Sequence, residues 1–254
     1  MRFMTAFLSI TLLSSFGFAD DVITKVHNMD EVDVKVDVRS EDIATALQKL
    51  KLKDGDAEKL SLYFLDTPDL LLFSHHLSVR ARQGAKSDLQ VKIRPAQPDQ
   101  IDPSLFHIKG FKCKYDQTKS DMVPDCAMKA DVDAADIAAV AKGKTSPQNL
   151  LNSAQIDYAE TYGVSSIPWD QVKALGPVQA SDWQVTLDNG NAVDVELWTL
   201  PGYQFLEFSE KAPTGQEDDT RQEILNLLSR NQLQESAVGQ NKTEFVMKIF
   251  AGQH

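Results

Sequence analysis

Cysteine is scarce in this chain, positive charge is outnumbered, and apolar runs long enough to span a bilayer are missing. The only cysteines are Cys113 and Cys126, and with no nearby pair of histidines a zinc-type thiolate site is disfavoured. One disulfide between them, structural in role, is the simplest reading for an oxidising compartment. Lys and Arg number 26 against 37 Asp and Glu, giving a net charge of −11. That balance argues against nucleic acid or an anionic membrane surface as a general partner. No stretch approaches the length of a transmembrane helix, so stable membrane insertion is not expected. Repeats, low-complexity tracts and long polar stretches are also lacking, so one domain over residues 20–254 is the economical expectation.

What the N-terminus does hold reads as a leader. Met1-Arg2-Phe3 supplies a basic start, residues 4–13 an apolar core, and Gly17 and Ala19 a small-x-small cleavage pattern. Residues 1–19 are expected to be a signal peptide cut after Ala19, and the remainder a secreted, periplasmic protein.

The mature chain opens on the most informative segment. Val32, Val34, Val36 and Val38 alternate with Glu31, Asp33, Lys35 and Asp37, the period of a half-buried strand. Two carboxylates spaced i, i+2 on a rigid strand can converge on one divalent cation. Further alternating segments follow. Residues 77–82 place Arg80 and Arg82 opposite Leu77, Val79 and Ala81, and residues 89–94 place Lys92 and Arg94 opposite Leu89, Val91 and Ile93. A strand is expected over 106–115, the clearest hairpin over 183–197 around Asp188-Asn189-Gly190-Asn191, and another strand over 204–211. Ser40 reads as a helix cap, residues 218–230 as an amphipathic helix, and 154–164 is ambiguous between helix and strand.

These elements predict an α+β fold, a mostly antiparallel closed barrel or tunnel of about eight strands with helices packed outside. If the aliphatic faces pack under helices, the charged faces line the tunnel. Its carboxylates would be Glu31, Asp33, Asp37, Asp194, Glu196 and Glu207, and its cations Lys35, Arg80, Arg82, Lys92, Arg94 and Lys211. Guanidinium and ammonium groups so placed suit a phosphate-rich anion, and the carboxylates suit Mg²⁺ or Mn²⁺. The bland alternative is a wet sheet face carrying ordinary cross-strand ion pairs.

The same residues resemble the CYTH group of the triphosphate tunnel metalloenzyme superfamily. Glu31-x-Asp33-x-Lys35 is similar to its E-x-E-x-K signature, and residues 63–69 are similar to its Y-F-D-T-P-D segment with Leu65 inserted. Leu77-x-x-Arg80-x-Arg82, Lys92-x-Arg94 and the stretch from Asp194 to Ser209 follow in the family's order. The resemblance implies an eight-stranded antiparallel tunnel that binds triphosphate-bearing substrates with a divalent metal. By position, Glu31, Asp33, Glu196 and Glu207 would be metal ligands, and Lys35, Arg80, Arg82, Lys92, Arg94 and Lys211 phosphate contacts. Glu31 and Glu207 are the candidates for a catalytic base. Ser209 departs from the pattern, standing where a second E-x-E ends in Glu.

Three functions compete. The first is a divalent-metal-dependent tri- or polyphosphate hydrolase, and the second a non-catalytic periplasmic module binding a phosphorylated or other anionic ligand. The third is a secreted barrel with an apolar cavity, which requires the aliphatic faces to point inward.

Overall fold

The computed structural model describes residues 29–119, 121–237 and 242–253, so the expected leader lies outside the described residues. Nine strands form: β1 (Glu31–Asp37), β2 (Glu58–Asp66), β3 (Leu77–Gln83), β4 (Asp88–Ile93), β5 (Phe111–Gln117), β6 (Met122–Asp131), β7 (Lys173–Thr186), β8 (Ala192–Leu200) and β9 (Tyr203–Pro213). They close into a barrel in the order β1-β5-β6-β4-β3-β2-β7-β8-β9. The α+β barrel is therefore as expected, with nine strands in place of about eight. A closed ring with an odd number of strands cannot alternate direction throughout, so one neighbouring pair must be parallel. That pair is β1–β5, with Val32 opposite Tyr115 and Val34 opposite Gln117.

Six helices accompany the barrel among the described residues: α1 (Ile43–Lys49), α2 (Leu71–Ser74), α3 (Ala134–Ala141), α4 (Ser153–Tyr162), α5 (Glu217–Arg230) and α6 (Lys242–Phe250). None is long and apolar enough to cross a membrane.

The valines of β1 are fully buried beneath Ile43 and Ala46 of α1 and Ile224 and Leu228 of α5. Burying each such side chain is worth about 1.5–3 kcal/mol, so the outer face is fixed and the charged face must turn inward. On the far side, Val79, Ala81, Leu89 and Val91 pack under Ile137 and Val140 of α3 and Tyr158 and Ala159 of α4. Leu65, the inserted residue, also packs outward in this cluster.

The ambiguous stretch 154–164 is mostly helix α4. Asn152 and Gln155 form a capping box, with bonds of 2.9 and 3.2 Å. Gln155 also donates to the carbonyls of Leu89 and Met128, and Tyr158 donates to the carbonyl of Cys126 at 2.8 Å. A helix whose buried face carries Gln155 and Tyr158 shows no apolar stripe in sequence. At α1 the expected Ser40 cap does not form, and a 3-10 turn over Ser40–Asp42 leads into the helix without a side-chain cap. Asp42 is instead held by Arg39 at 2.9 Å and by the Gln234 amide at 3.1 Å.

Helix α6 packs on the inner side of the barrel, unlike α1, α3, α4 and α5. Residues directly opposed across paired strands share a face, and Phe64 opposes Arg80 while Leu62 opposes Arg82. The apolar residues of β2 therefore point inward, as do Ala180 of β7 and Trp198 of β8, their cross-strand neighbours. Val246 and Met247 of α6 complete this inner apolar cluster. The barrel interior thus has a charged part and an apolar part, and the apolar part is filled by the chain's own last helix.

Candidate functional site

Inner faces of β1, β3, β4, β5, β8 and β9 meet the start of α6 around one cavity of about 520 Å³. Period-2 alternation delivers the side chains, and the buried outer faces fix which of them point in. Lys35 and Asp37 come from β1, Arg80 from β3, Lys92 from β4 with Arg94 just beyond it, Asp116 from β5, Glu196 and Trp198 from β8, Glu207 from β9, and Lys242 from α6.

The cations gather around a carboxylate that the sequence reading passed over. Asp116 lies 3.0 Å from Lys35, 3.5 Å from Lys92 and 3.7 Å from Arg94. Burial alone would raise its pKa, but the charges of Lys35, Lys92 and Lys114 outweigh that and hold it well below the usual carboxylate range. Lys92 also meets Asp125 at 2.8 Å. Burial pushes Asp125 up, with Lys92 opposing and the Asp116 charge adding.

Arg80 differs from these paired cations. Its Nη2 donates to Gln90 at 3.4 Å, and its Nε has no hydrogen-bond partner. Among the described residues no carboxylate lies within 4.0 Å of it. Burial and the neighbouring Arg82 charge lower its pKa, with Glu196, Asp88 and Glu207 opposing from farther away. Arg82 does not share this state, being clamped by Asp88 through a contact of 2.6 Å.

A second group gathers the carboxylates. Glu196 and Glu207 are register partners across β8–β9, and Asp37 faces Glu207 across β1–β9. The Lys242 ammonium sits 3.0 Å from Glu196 and 3.1 Å from Glu207, and 4.2 Å from the centre of the Trp198 ring. Burial works against ionisation of Glu196, yet Lys242 and Arg80 bring it down to about 2. Asp37 is pushed up to about 7, first by burial and then by the Glu207 charge, and its Oδ1 has no partner.

The remaining residues singled out from the sequence lie elsewhere. Glu31 pairs with Lys112 at 2.7 Å and with the exposed Lys211 at 3.6 Å. Asp33 pairs with Lys114. None of Glu31, Asp33, Arg82 and Lys211 lines the cavity. Ser209 sits opposite Lys35 and Asp194, while Glu210 faces outward and accepts from Asn191 at 3.0 Å, so no bulge re-aims it into the tunnel. The Asp66-Thr67 segment serves the backbone, with Asp66 accepting from the amides of Thr67, Leu72 and Phe73 to cap α2.

The metal expectation meets a donor set that does not fit it. Among the described residues no three His, Cys, Asp or Glu side chains come close enough to hold an ion. Of the four candidate ligands, Glu31, Asp33, Glu196 and Glu207, each already contacts a lysine. Each ammonium competes with a cation for those carboxylates, and Glu196 and Glu207, which share Lys242, fit Mg²⁺ or Mn²⁺ poorly while it is in place.

Asp116, Asp125, Trp198 and Lys242 are the site residues that sequence reasoning missed. Asp116 continues the alternation of Lys112 and Lys114, but the expected strand stopped at Tyr115, one residue short. For Lys242 the sequence offered no signal.

Cys113 and Cys126, expected as a disulfide, are bonded across register-matched positions of β5 and β6. No family model matches the chain, and no curated protein does. Solved structures do match. A candidate adenylate cyclase from Bacillus halodurans has a TM-score of 0.56 at 13% identity, covering 85% of this chain and 97% of its own. A candidate adenylyl cyclase from Hippeastrum, described as having a dominant triphosphatase activity, has a TM-score of 0.60 at 13% identity, covering 85% and 94%. At such identities the likeness shows the fold, and the chain shares the tunnel barrel of those two proteins.

Proposed function

We propose that this chain is an exported tunnel protein that binds a small phosphate-rich anion, of the triphosphate or polyphosphate class, in the cavity above Arg80. Arg80, with no carboxylate within 4.0 Å among the described residues and an Nε without a hydrogen-bond partner, carries the reading. A desolvated guanidinium without a carboxylate is costly unless a ligand supplies the anion. Around it Lys35, Lys92 and Arg94 share Asp116 and Asp125, so this side of the cavity sets four cations against two carboxylates, while Asp37, Glu196 and Glu207 gather on the other side with Lys242. The guanidiniums of Arg80 and Arg94 offer forked donors that match phosphate oxygens, while Lys35 and Lys92 act as point charges. Export is supported by the leader-like start and by the Cys113–Cys126 bond, which suits an oxidising compartment.

A second reading, hydrolysis of the bound anion, is favoured by Asp37. Asp37 lines the same cavity with Glu207 beside it, and its carboxyl could orient a water toward a phosphorus. The triphosphatase activity described for the Hippeastrum protein supports the same class.

Calorimetric titration of the mature protein with inorganic triphosphate tests the binding. Saturable binding is expected, weakened by at least about tenfold in Arg80→Met, since a charge-assisted contact is worth roughly 1.5–3 kcal/mol. Absence of binding to wild type, or full binding by a folded Arg80→Met, would overturn it. Phosphate release with Mg²⁺, Mn²⁺ or chelator, beside Asp37→Asn, then separates hydrolase from binder.

A further inference from the structure

We infer that Lys242 is a built-in cation for the tunnel carboxylates, occupying the place that a divalent ion would need and making anion binding independent of metal. The inference rests on the anion-binding reading above for its consequence, but its geometry stands alone. The ammonium lies between Glu196 and Glu207, which face each other across β8–β9, and its side chain is only 10% exposed. Its position over the Trp198 ring, 4.2 Å from the centre, adds a cation–π contact. Burial disfavours the charged form, but Glu207, Glu196 and Asp37 more than offset it, so the lysine stays protonated.

Helix stability does not explain this placement. Lys242 is the first residue of α6, where the helix dipole disfavours a cation. The rest of the helix anchors it, since Val246 and Met247 are locked into the apolar wall of the barrel. The lysine is thus carried into the tunnel on a packed element and held there by two carboxylates.

The distances also show what metal entry would require. A small divalent ion needs oxygen ligands at roughly 2.1 Å and commonly uses one or two protein carboxylates with waters completing the shell. The Lys242 ammonium contacts one oxygen of Glu196 at 3.0 Å and one of Glu207 at 3.1 Å, so an ion bridging the two carboxylates would have to displace it. Removing the ammonium would leave two adjacent buried carboxylates with Asp37 beside them, an arrangement that demands a replacement cation.

The test is a Mn²⁺ titration of the full mature chain, read by electron paramagnetic resonance of free Mn²⁺, with no anion present. Wild type is expected to show no saturable tunnel site. Lys242→Met is expected to gain one, at least about tenfold tighter than any wild-type binding and abolished by adding Glu207→Gln. Triphosphate titration in chelator is expected to show wild-type binding undiminished. A wild-type Mn²⁺ site removed by Glu207→Gln would overturn the inference, as would a folded Lys242→Met that gains none. Should Lys242→Met fail to fold, the wild-type titration beside Glu207→Gln still decides. Loss of triphosphate binding by wild type in chelator, restored by Mn²⁺, would overturn metal independence. No triphosphate binding under any condition would instead sink the anion reading and leave the Mn²⁺ result standing.

Discussion

Asp182 on β7 faces Glu196 across one strand pair and Glu58 across the other, so three carboxylates line up on one row. Burial pushes Asp182 up to about 7, the Glu196 charge adds, and Arg82 opposes. Its Oδ1 has no hydrogen-bond partner. A carboxyl whose folded pKa lies above its unfolded value contributes stability in full at low pH. That contribution is lost as pH rises through the folded value, here between about 4 and about 7. Asp182→Asn is therefore expected to melt higher than wild type at about pH 8, by on the order of 2–4 °C for about 1 kcal/mol, and to match it near pH 4. Thermal melts at both pH values check this, and an equal shift at both would show that titration is not the cause. At this scale the sequence was half legible. Alternation assigned Lys35, Arg80, Lys92 and Glu207 to the inner face, because burial of the intervening valines and leucines leaves no other choice. It could not say which cation meets which carboxylate, because that depends on register between strands far apart in the chain. Asp116 escaped for a simpler reason, lying one residue past the expected end of its strand, and nothing local marked Lys242 as entering the barrel.

Among elements, the β5–β6 hairpin departs furthest from the eight-stranded expectation. It inserts β5 between β1 and β6, makes the strand number odd, and brings Asp116 to the cavity. The hairpin is pinned by the bond between Cys113 and Cys126, 13 residues apart, and by Tyr158 of α4 reaching the Cys126 carbonyl. Closing a loop of this length is worth about 2–3 kcal/mol on the chain-entropy account. The double variant Cys113→Ser, Cys126→Ser is expected to unfold at lower denaturant by that amount, checked by urea melts with unchanged slope. Wild type in reductant should shift likewise, and an unshifted curve would mean the barrel alone holds the hairpin. Such an element was visible as a strand over 106–115 with residues 128–130 as its partner across the Cys113–Cys126 loop, but its place beside β1 was not. Local pattern specifies strands, whereas which edge a hairpin joins is set by long-range closure.

For the whole molecule, the interior is divided between a charged cavity and an apolar wall, and one helix serves both. The inner residues Leu60, Leu62 and Phe64 of β2 give it an apolar inner face, unlike the charged inner faces expected throughout. That wall does not leave a cavity for an apolar ligand, because Val246 and Met247 of α6 fill it, while Lys242 at the same helix's start enters the charged side. Docking of α6 is then part of completing the core, not a late addition to a finished barrel. Met247, 1% exposed, sits at the centre of this joint. Met247→Ala is expected to cost about 2–5 kcal/mol, the usual range for emptying such a site. Because the helix and the wall bury each other, the loss should appear as one cooperative transition at lower temperature, with far-ultraviolet circular dichroism and tryptophan fluorescence coincident. If instead the helix came away first, the variant would show a separate low-temperature step with the barrel's own transition unmoved. The barrel would then be complete without its last helix, and α6 would be a docked accessory to it.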